Sequence, residues 1–322
     1  MSSQPDAKKL AVRPSATLIV VAPTPHEKDH NYRVLMMKRN AKSSFIHAHV
    51  FPGGVVDKND DATNWRTILP STDTSSSDLT NKICAIRETF EESGLLLTHP
   101  PAHTVLKDAE TWRQRVHDDA SQFKVLCETH HLKPAVDRLL PFANWITPTN
   151  EKRRYNTHFY LTVLDDAHVD SSGKHAALYA ADGKETVQLN WYTPTEALRD
   201  WKDRKIVLFP PQWYCLTAMK DAGHEYAALP RAGYGALRRH DGTVATVMPQ
   251  HHVNKIEPFA SQDYHSFLAY PGDEFYNDLE TGEPTGKAGD RHRIYIRGRM
   301  EEFELEKNVD VPDVGKRTKA RL

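Results

Sequence analysis

The chain lacks the features that would place it in several common classes. Only three of its 322 residues are cysteine (Cys84, Cys127 and Cys215), an odd number at wide spacings. That excludes a disulfide framework and any CxxC zinc pattern, and it fits a reducing compartment in which the thiols serve as small buried apolar groups. No apolar run is long enough to span a bilayer. The longest, Ala16-Thr17-Leu18-Ile19-Val20-Val21-Ala22, is far short of the roughly 20 residues required. It has no small-residue cleavage site after it and reads as a buried strand, not a secretory signal. Neither sign of charge is in excess, with 42 Lys+Arg against 43 Asp+Glu. A general polyanion-binding surface is therefore disfavoured, and nucleic acid is not an expected partner. Histidine is more frequent than usual: 18 residues make the net charge of −1 sensitive to pH below about 6.5.

By length the chain is roughly two domains long. Residues 1–13 are polar and expected to be flexible. Strands are predicted over 15–22 and 32–38, then a Gly-Gly turn at Phe51-Pro52-Gly53-Gly54. The segment 71–78 has no apolar residue to bury and predicts a mobile loop, ending in Ser77 or Asp78 as the cap of a helix that runs to about Ser93. Gly94 then stands where a helix C-terminus wants a left-handed residue. Further on, a short strand is predicted at 95–98, helix over 104–131 with one break, and strands at 140–147, 155–164 and 185–192. Thr193-Pro194-Thr195-Glu196 reads as a helix start, and another helix is predicted near 211–222. From 229 the texture changes to short β-like runs and turns.

The informative stretch is Arg87-Glu88-Thr89-Phe90-Glu91-Glu92-Ser93-Gly94-Leu95. At about 100° per residue, Glu88, Glu91 and Glu92 share roughly a 100° arc. Leu79, Ile83, Ile86 and Phe90 fall on the opposite side and are core candidates. Like charges at these spacings cost stability unless something offsets them. A solvated face is the commoner reading of an isolated acidic stripe. The alternative is a hard divalent cation, since Mg²⁺ and Mn²⁺ prefer carboxylate oxygens.

These residues resemble the second half of the Nudix box, G-x5-E-x7-R-E-U-x-E-E-x-G-U, with U a bulky apolar residue. Gly53-Gly54 resembles its opening turn, and Asp60 stands six residues after Gly54, where the family has Glu. Thr89 occupies an apolar position, and 26 residues separate Asp60 from Arg87 where the pattern has seven. The extra residues predict a loop inserted in the box, about 61–78, which long surface loops tolerate at low entropic cost. The resemblance implies an α/β fold, an α/β/α sandwich with a mixed sheet, carrying this insertion and a β-rich C-terminal extension. The implied organisation is a Nudix hydrolase domain over 14–228 followed by the extension over 229–322. It further implies an enzyme that cleaves a diphosphate with Mg²⁺ or Mn²⁺. Arg87, Glu88, Glu91 and Glu92 are then catalytic, with the three glutamates on the metal and Arg87 orienting them. Gly53, Gly54, Asp60 and Gly94 shape the loop. Glu91 or Glu185 is a candidate general base.

The stretch Trp145-Ile146-Thr147-Pro148 with Arg153-Arg154-Tyr155-Asn156-Thr157-His158-Phe159 is similar to a strand pair of Nudix enzymes acting on coenzyme A. Together with the insertion and the chain's end, it resembles the peroxisomal nudix motif 19 type of acyl-coenzyme A diphosphatase. The implied substrate is coenzyme A or acyl-coenzyme A. Ala320-Arg321-Leu322 is a variant of the Ser-Lys-Leu address, implying an import receptor as partner and a peroxisomal location, with the cytoplasm as the alternative. The strict coenzyme A signature upstream of Gly-Gly is absent, since His47-Ala48-His49-Val50 stands there. Other nucleotides (NAD(H), ADP-ribose or an RNA cap) and a non-catalytic Nudix-fold binding module are the alternatives. Arg39, Arg153 and Arg154 are candidate substrate-phosphate contacts. Arg291, Arg293, Arg297 and Arg299 with Tyr295 read as a solvated strand face. The oligomeric state is open.

Overall fold

In the computed structural model the described residues are 11–24, 29–39, 48–70, 75–164, 186–229, 237–239, 242–253, 264–298 and 302–311. The apolar run forms the centre of β1 (Val12–Pro23), every residue from Ala16 to Ala22 being buried. Successive side chains on a strand point to opposite faces. Leu18 and Val20 accordingly enter one core, and Ile19 and Val21 enter another. A strand that is apolar on both sides needs cover on both sides, and the chain supplies it.

Strands β2 (Tyr32–Arg39), β3 (His49–Val50), β4 (Gly53–Val55), β7 (Leu140–Ile146), β8 (Arg154–Val163), β9 (Thr186–Tyr192) and β10 (Thr246–Val247) complete the main sheet. Its order is β10-β7-β8-β1-β2-β3, with β4 on β1 and β9 on β2. β8 runs parallel to β1 and β10 parallel to β7, while the other pairs are antiparallel, so the sheet is mixed. A two-stranded ribbon, β5 (Thr98–His99) with β6 (Lys133–Pro134), lies apart.

One face is covered by α1 (Ser76–Ser93), α2 (Ala109–Asp118) and α3 (Ser121–Thr129). The other is covered by α4 (Pro194–Lys202) and α5 (Pro210–Ala222). The expected start of α4 is observed in full: Thr193 caps Glu196, Glu196 caps Thr193, and Pro194 fills the first turn. Cys84, Cys127 and Cys215 are free and buried.

The residues beyond 229 add β10 to the main sheet and form a second, antiparallel sheet, β11 (Gln250–Val253), β12 (Ser266–Ala269), β13 (His292–Arg297) and β14 (Glu302–Lys307). Leu268, Tyr270, Ile294, Ile296 and Phe303 enter the same core as α4 and α5. Phe303 stacks on Trp201 at 5.1 Å between ring centres.

Two expectations are corrected here. Arg293 and Tyr295 do not belong to a solvated face. Arg293 is buried, donating from Nε and Nη2 to the fully buried Asp273 at 2.7 Å each, with its guanidinium 4.5 Å from the Phe267 ring centre. A paired charge over an aromatic face tolerates burial that a lone one would not. Nor is the insertion a bare loop throughout. Ala62–Trp65 is a short 3₁₀ turn whose Trp65 packs beside Phe123 and donates from Nε1 to the Asn59 carbonyl at 2.9 Å. Residues 71–74 of the insertion lie outside the described set, as does Arg299.

Candidate active site

Helix α1 is fastened at both ends. Ser75 Oγ accepts the Asp78 N–H, so the cap lies two residues before Ser77 and three before Asp78, the caps expected. Asp78 accepts a hydrogen bond from Tyr160 of β8 at 2.6 Å and pairs with Lys82 at 3.2 Å, which pins the first turn to the sheet. At the other end Gly94 takes φ +79° and donates its N–H to the Phe90 carbonyl at 2.8 Å. That left-handed residue is the reason for glycine there. Arg113 of α2 then donates from Nε to the Glu91 carbonyl at 2.8 Å and from Nη2 to the Glu92 carbonyl at 2.9 Å. These are carbonyls that the last turn leaves without an intrahelical partner.

Between those ends lies a buried clamp. Arg87, 3% exposed, donates from Nε and Nη2 to the two oxygens of Asp60, 1% exposed, at 2.8 Å each. Nη1 donates to Glu91 Oε1 at 2.6 Å and stands 3.0 Å from Glu88 Oε1. Burial works against the Arg87 charge, but the bonds to Asp60 and the charges of Glu88 and Asp60 hold its pKa well above the ordinary arginine value. Asp60 also accepts the Asp57 N–H at 2.8 Å, closing a capping box with Asp57. The shorter Asp thus fills the partner role at a position where a longer side chain stands in the box pattern.

The Gly-Gly turn fits against these carboxylates. β4 pairs with Ser15, Ala16 and Thr17 of β1, which brings Gly53 and Gly54 under α1. Gly53 donates its N–H to Glu92 Oε2 at 2.8 Å. A Cβ on Gly54 would lie 2.4 Å from the Glu88 carboxyl carbon, so only glycine leaves that carboxylate its place. A Cβ on Gly53 would lie 2.4 Å from the Ala16 carbonyl oxygen, which is backbone and cannot move aside. Thr89 is fully buried, and its hydroxyl donates to the Ala85 carbonyl at 2.7 Å. Its polar atom is thereby satisfied at a position that is otherwise apolar.

The acidic face is therefore not a solvated stripe. Glu91 and Glu92 are buried, and the Glu88 side chain is only 16% exposed. Burial pushes the Glu88 carboxyl up to about 7; Arg87 opposes this, and the charges of Glu91 and Asp60 add to it. Arg87 meets three carboxylates, Asp60, Glu88 and Glu91, and Glu92 adds a fourth on the Gly53 N–H, so negative charge is in excess over that guanidinium and the carboxylates are hard oxygen donors. That set fits Mg²⁺ or Mn²⁺.

The structure brings together Arg87, Glu88, Glu91, Glu92, Gly53, Gly54 and Asp60, with Gly94 closing the helix. Arg39 lies half-buried at the end of β2, and Arg153 is exposed just before β8. Arg154 is buried and engaged, donating from Nε to the Thr147 carbonyl at 3.0 Å and from Nη2 to Met248 Sδ at 3.1 Å. Glu185, Ala320, Arg321 and Leu322 lie outside the described residues.

Sequence reasoning missed Arg113 and His117. His117 Nδ1 stands 3.7 Å from Glu91 Oε2, on the side of Glu91 that Arg87 does not hold. The available signal was weak: Arg113 is one of two arginines, with Arg115, that border the Trp112/Val116 stripe of α2.

A family model described as the NUDT19 Nudix domain matches residues 12–77 and 71–219. This chain belongs to the Nudix hydrolase family. Within that family it is similar to proteins called "Acyl-coenzyme A diphosphatase NUDT19". The one from Xenopus laevis is 31% identical over 268 residues, covering 64% of this chain and 68% of the relative. The one from Gallus gallus is 30% identical over 258 residues, covering 63% and 66%. The chain thus spans about two thirds of these relatives' length. A solved Nudix hydrolase from Alicyclobacillus acidocaldarius shares the fold, with a TM-score of 0.52 at 22% identity, over 65% of this chain and 91% of that one. As a Nudix hydrolase the protein is an enzyme of phosphoric anhydride bonds, a diphosphatase. Among the described residues no helix is long and apolar enough to cross a membrane.

Two outcomes are expected of this Nudix site. Gly54→Ala should fold with stability within about 1 kcal/mol of wild type, because its new methyl meets the end of a flexible side chain. It should weaken divalent-cation binding at least about tenfold by displacing Glu88, as read by calorimetric titration with Mn²⁺. The second concerns pH. A carboxyl raised to about 7 binds its proton more tightly in the folded than in the unfolded state. Its contribution to stability is therefore present at low pH and lost as pH rises from about 5 through 7. In chelator, melting temperature should fall over that range in wild type and less steeply in Glu88→Gln.

Proposed function

We propose that this Nudix hydrolase cleaves the diphosphate of coenzyme A and of its acyl esters. The products are 3′,5′-ADP and (acyl-)4′-phosphopantetheine. The observation that carries the reading is the buried Arg87–Asp60 clamp, which sets Glu88, Glu91 and Glu92 against the Gly53-Gly54 turn. The substrate class is supported by the likeness to proteins named for acyl-coenzyme A.

Glu88, Glu91 and Glu92 are assigned to hold Mg²⁺ or Mn²⁺. Bound there, such an ion would offset the charge on the diphosphate oxygens and lower the pKa of a bound water. Arg87 fixes the rotamers of Glu88 and Glu91, and the Gly53 N–H fixes Glu92, so the carboxylates are oriented before substrate arrives. The proton of the attacking water passes to a carboxylate, Glu91 or Glu185. Arg39, Arg153 and Arg154 are the proposed phosphate contacts; Arg154 also donates to the Thr147 carbonyl and to Met248 Sδ.

The test is product analysis with coenzyme A, acyl-coenzyme A, NADH, ADP-ribose and capped RNA. The coenzyme A compounds should show the highest kcat/KM and release 3′,5′-ADP. A preference for any other member would overturn the substrate while leaving the family intact. Glu92→Gln should lose roughly two to three orders of magnitude of metal-dependent turnover, the several kcal/mol that a metal's charge contributes, with an unchanged circular dichroism spectrum. Wild-type turnover in that variant would refute the metal assignment.

The peroxisomal location implied by Ala320-Arg321-Leu322 belongs to the same proposal. A fluorescent fusion preserving that end should collect in peroxisomes, and removing the three residues should leave it in the cytosol. Unchanged distribution would overturn the assignment.

A further inference from the structure

We propose that Asp29, His30 and His224 form a second metal site, one that takes a borderline transition ion such as Zn²⁺ and not the Mg²⁺ or Mn²⁺ of the Nudix box. One ligand atom from each of these residues can be chosen so that all lie within 4.8 Å of one another. Two imidazoles with one carboxylate form a donor set of the kind zinc favours, whereas the Nudix box offers only oxygen.

His30 is the second, independent observation. Its side chain is fully buried, yet neither ring nitrogen has a hydrogen-bond partner among the described residues. Its Nδ1 faces Asp29 Oδ2 at 3.5 Å, beyond a good hydrogen bond. Buried polar atoms without partners are uncommon and call for an explanation. The ring lies 5.3 Å from that of Tyr32 and 4.9 Å from that of His224, so it is held in place. His224 Nδ1 bonds to the Asp29 carbonyl. A carbonyl only accepts, so that nitrogen carries the proton and Nε2 keeps its lone pair. This is the arrangement in which a second contact orients a metal-binding histidine.

The backbone around the cluster is already joined. Asn31 N–H donates to the His224 carbonyl at 2.9 Å, Asn31 Oδ1 accepts the Tyr226 N–H at 2.8 Å, and Asn31 Nδ2 donates to Glu225. Thr24 N–H closes the turn onto the Asn31 carbonyl at 2.7 Å. Gly223, at φ +116°, turns the chain out of α5 into His224. An ion here would tie the β1–β2 connection to the end of α5, segments about 195 residues apart.

The site is separate from the Nudix centre. Gly54 lies beside Ala16 of β1, whereas the cluster adjoins the far end of that strand, where Pro23 pairs with Tyr32. Seven strand residues correspond to roughly 23 Å. His30 also precedes Tyr32 on the α5 side of the sheet, opposite α1.

The full chain, stripped with chelator, is titrated with Co²⁺ and Zn²⁺. One equivalent of Co²⁺ should give the visible absorption of a low-coordinate nitrogen-oxygen site, and Zn²⁺ should displace it and raise the melting temperature. Glu92→Gln should keep this signal. His30→Gln and His224→Gln should bind at least about tenfold more weakly. His224 is exposed, so its variant carries the test if His30→Gln fails to fold, circular dichroism being the check. Wild-type binding in His224→Gln, or a signal that disappears in Glu92→Gln, would overturn the site.

Discussion

The buried ion pair of Arg87 with Asp60 is the constraint on which the catalytic half of this protein turns. A guanidinium out of water is costly unless its donors are matched, and here they are spread over Asp60, Glu91, Glu88 and the Val55 carbonyl. Each acceptor comes from a different stage of the chain: Val55 from β4, Asp60 from the turn after it, and the glutamates from α1. Satisfying one cation therefore fixes how the Gly-Gly turn, the start of the insertion and the helix sit together. The arrangement also explains why a long insertion is tolerated. Asp60 on its near side and Arg87 beyond it still meet, while Trp65 of the insertion packs beside Phe123 and Ser75 caps the helix that leads to Arg87.

The clamp rests on β1. Along one edge this strand pairs with β8 throughout, while the other edge is divided, the first half bonded to β4 and the last to β2. The division opens a place for the Gly-Gly turn beneath α1. The α4/α5 face of the same strand supports a core to which the C-terminal sheet contributes Leu268, Tyr270, Ile294 and Phe303. The chain beyond 229 is thus continuous in packing with the sheet that carries the site, through β10 as well as through those side chains.

Much of this was legible from local pattern. The acidic arc on α1, the apolar arc behind it, Gly94 at the helix end and the Thr193-Pro194 start of α4 each depend on neighbours a few residues away, and the structure shows all of them. The misreadings have a common cause. Arg293 reads as a surface residue until Asp273 and Phe267, distant in sequence, are brought to it. Trp65 sits in a polar stretch that gives no sign of Phe123 waiting for it. Arg113 and His117 lie 22 and 26 positions beyond Glu91, with nothing local to connect them to it.

Sequence alone determined which groups exist and which short-range geometry they adopt: three glutamates on one helical arc, glycines where space or a left-handed turn is needed, and an apolar strand that demands cover on both faces. Those follow from helix and strand periodicity, which is local. Only the tertiary structure decided which charges are buried and by what they are neutralised. That is why Glu88 is raised toward 7 rather than solvated, and why His30 stands without a partner beside His224. Electrostatic energy depends on distance and burial in three dimensions, and neither is set by position along the chain.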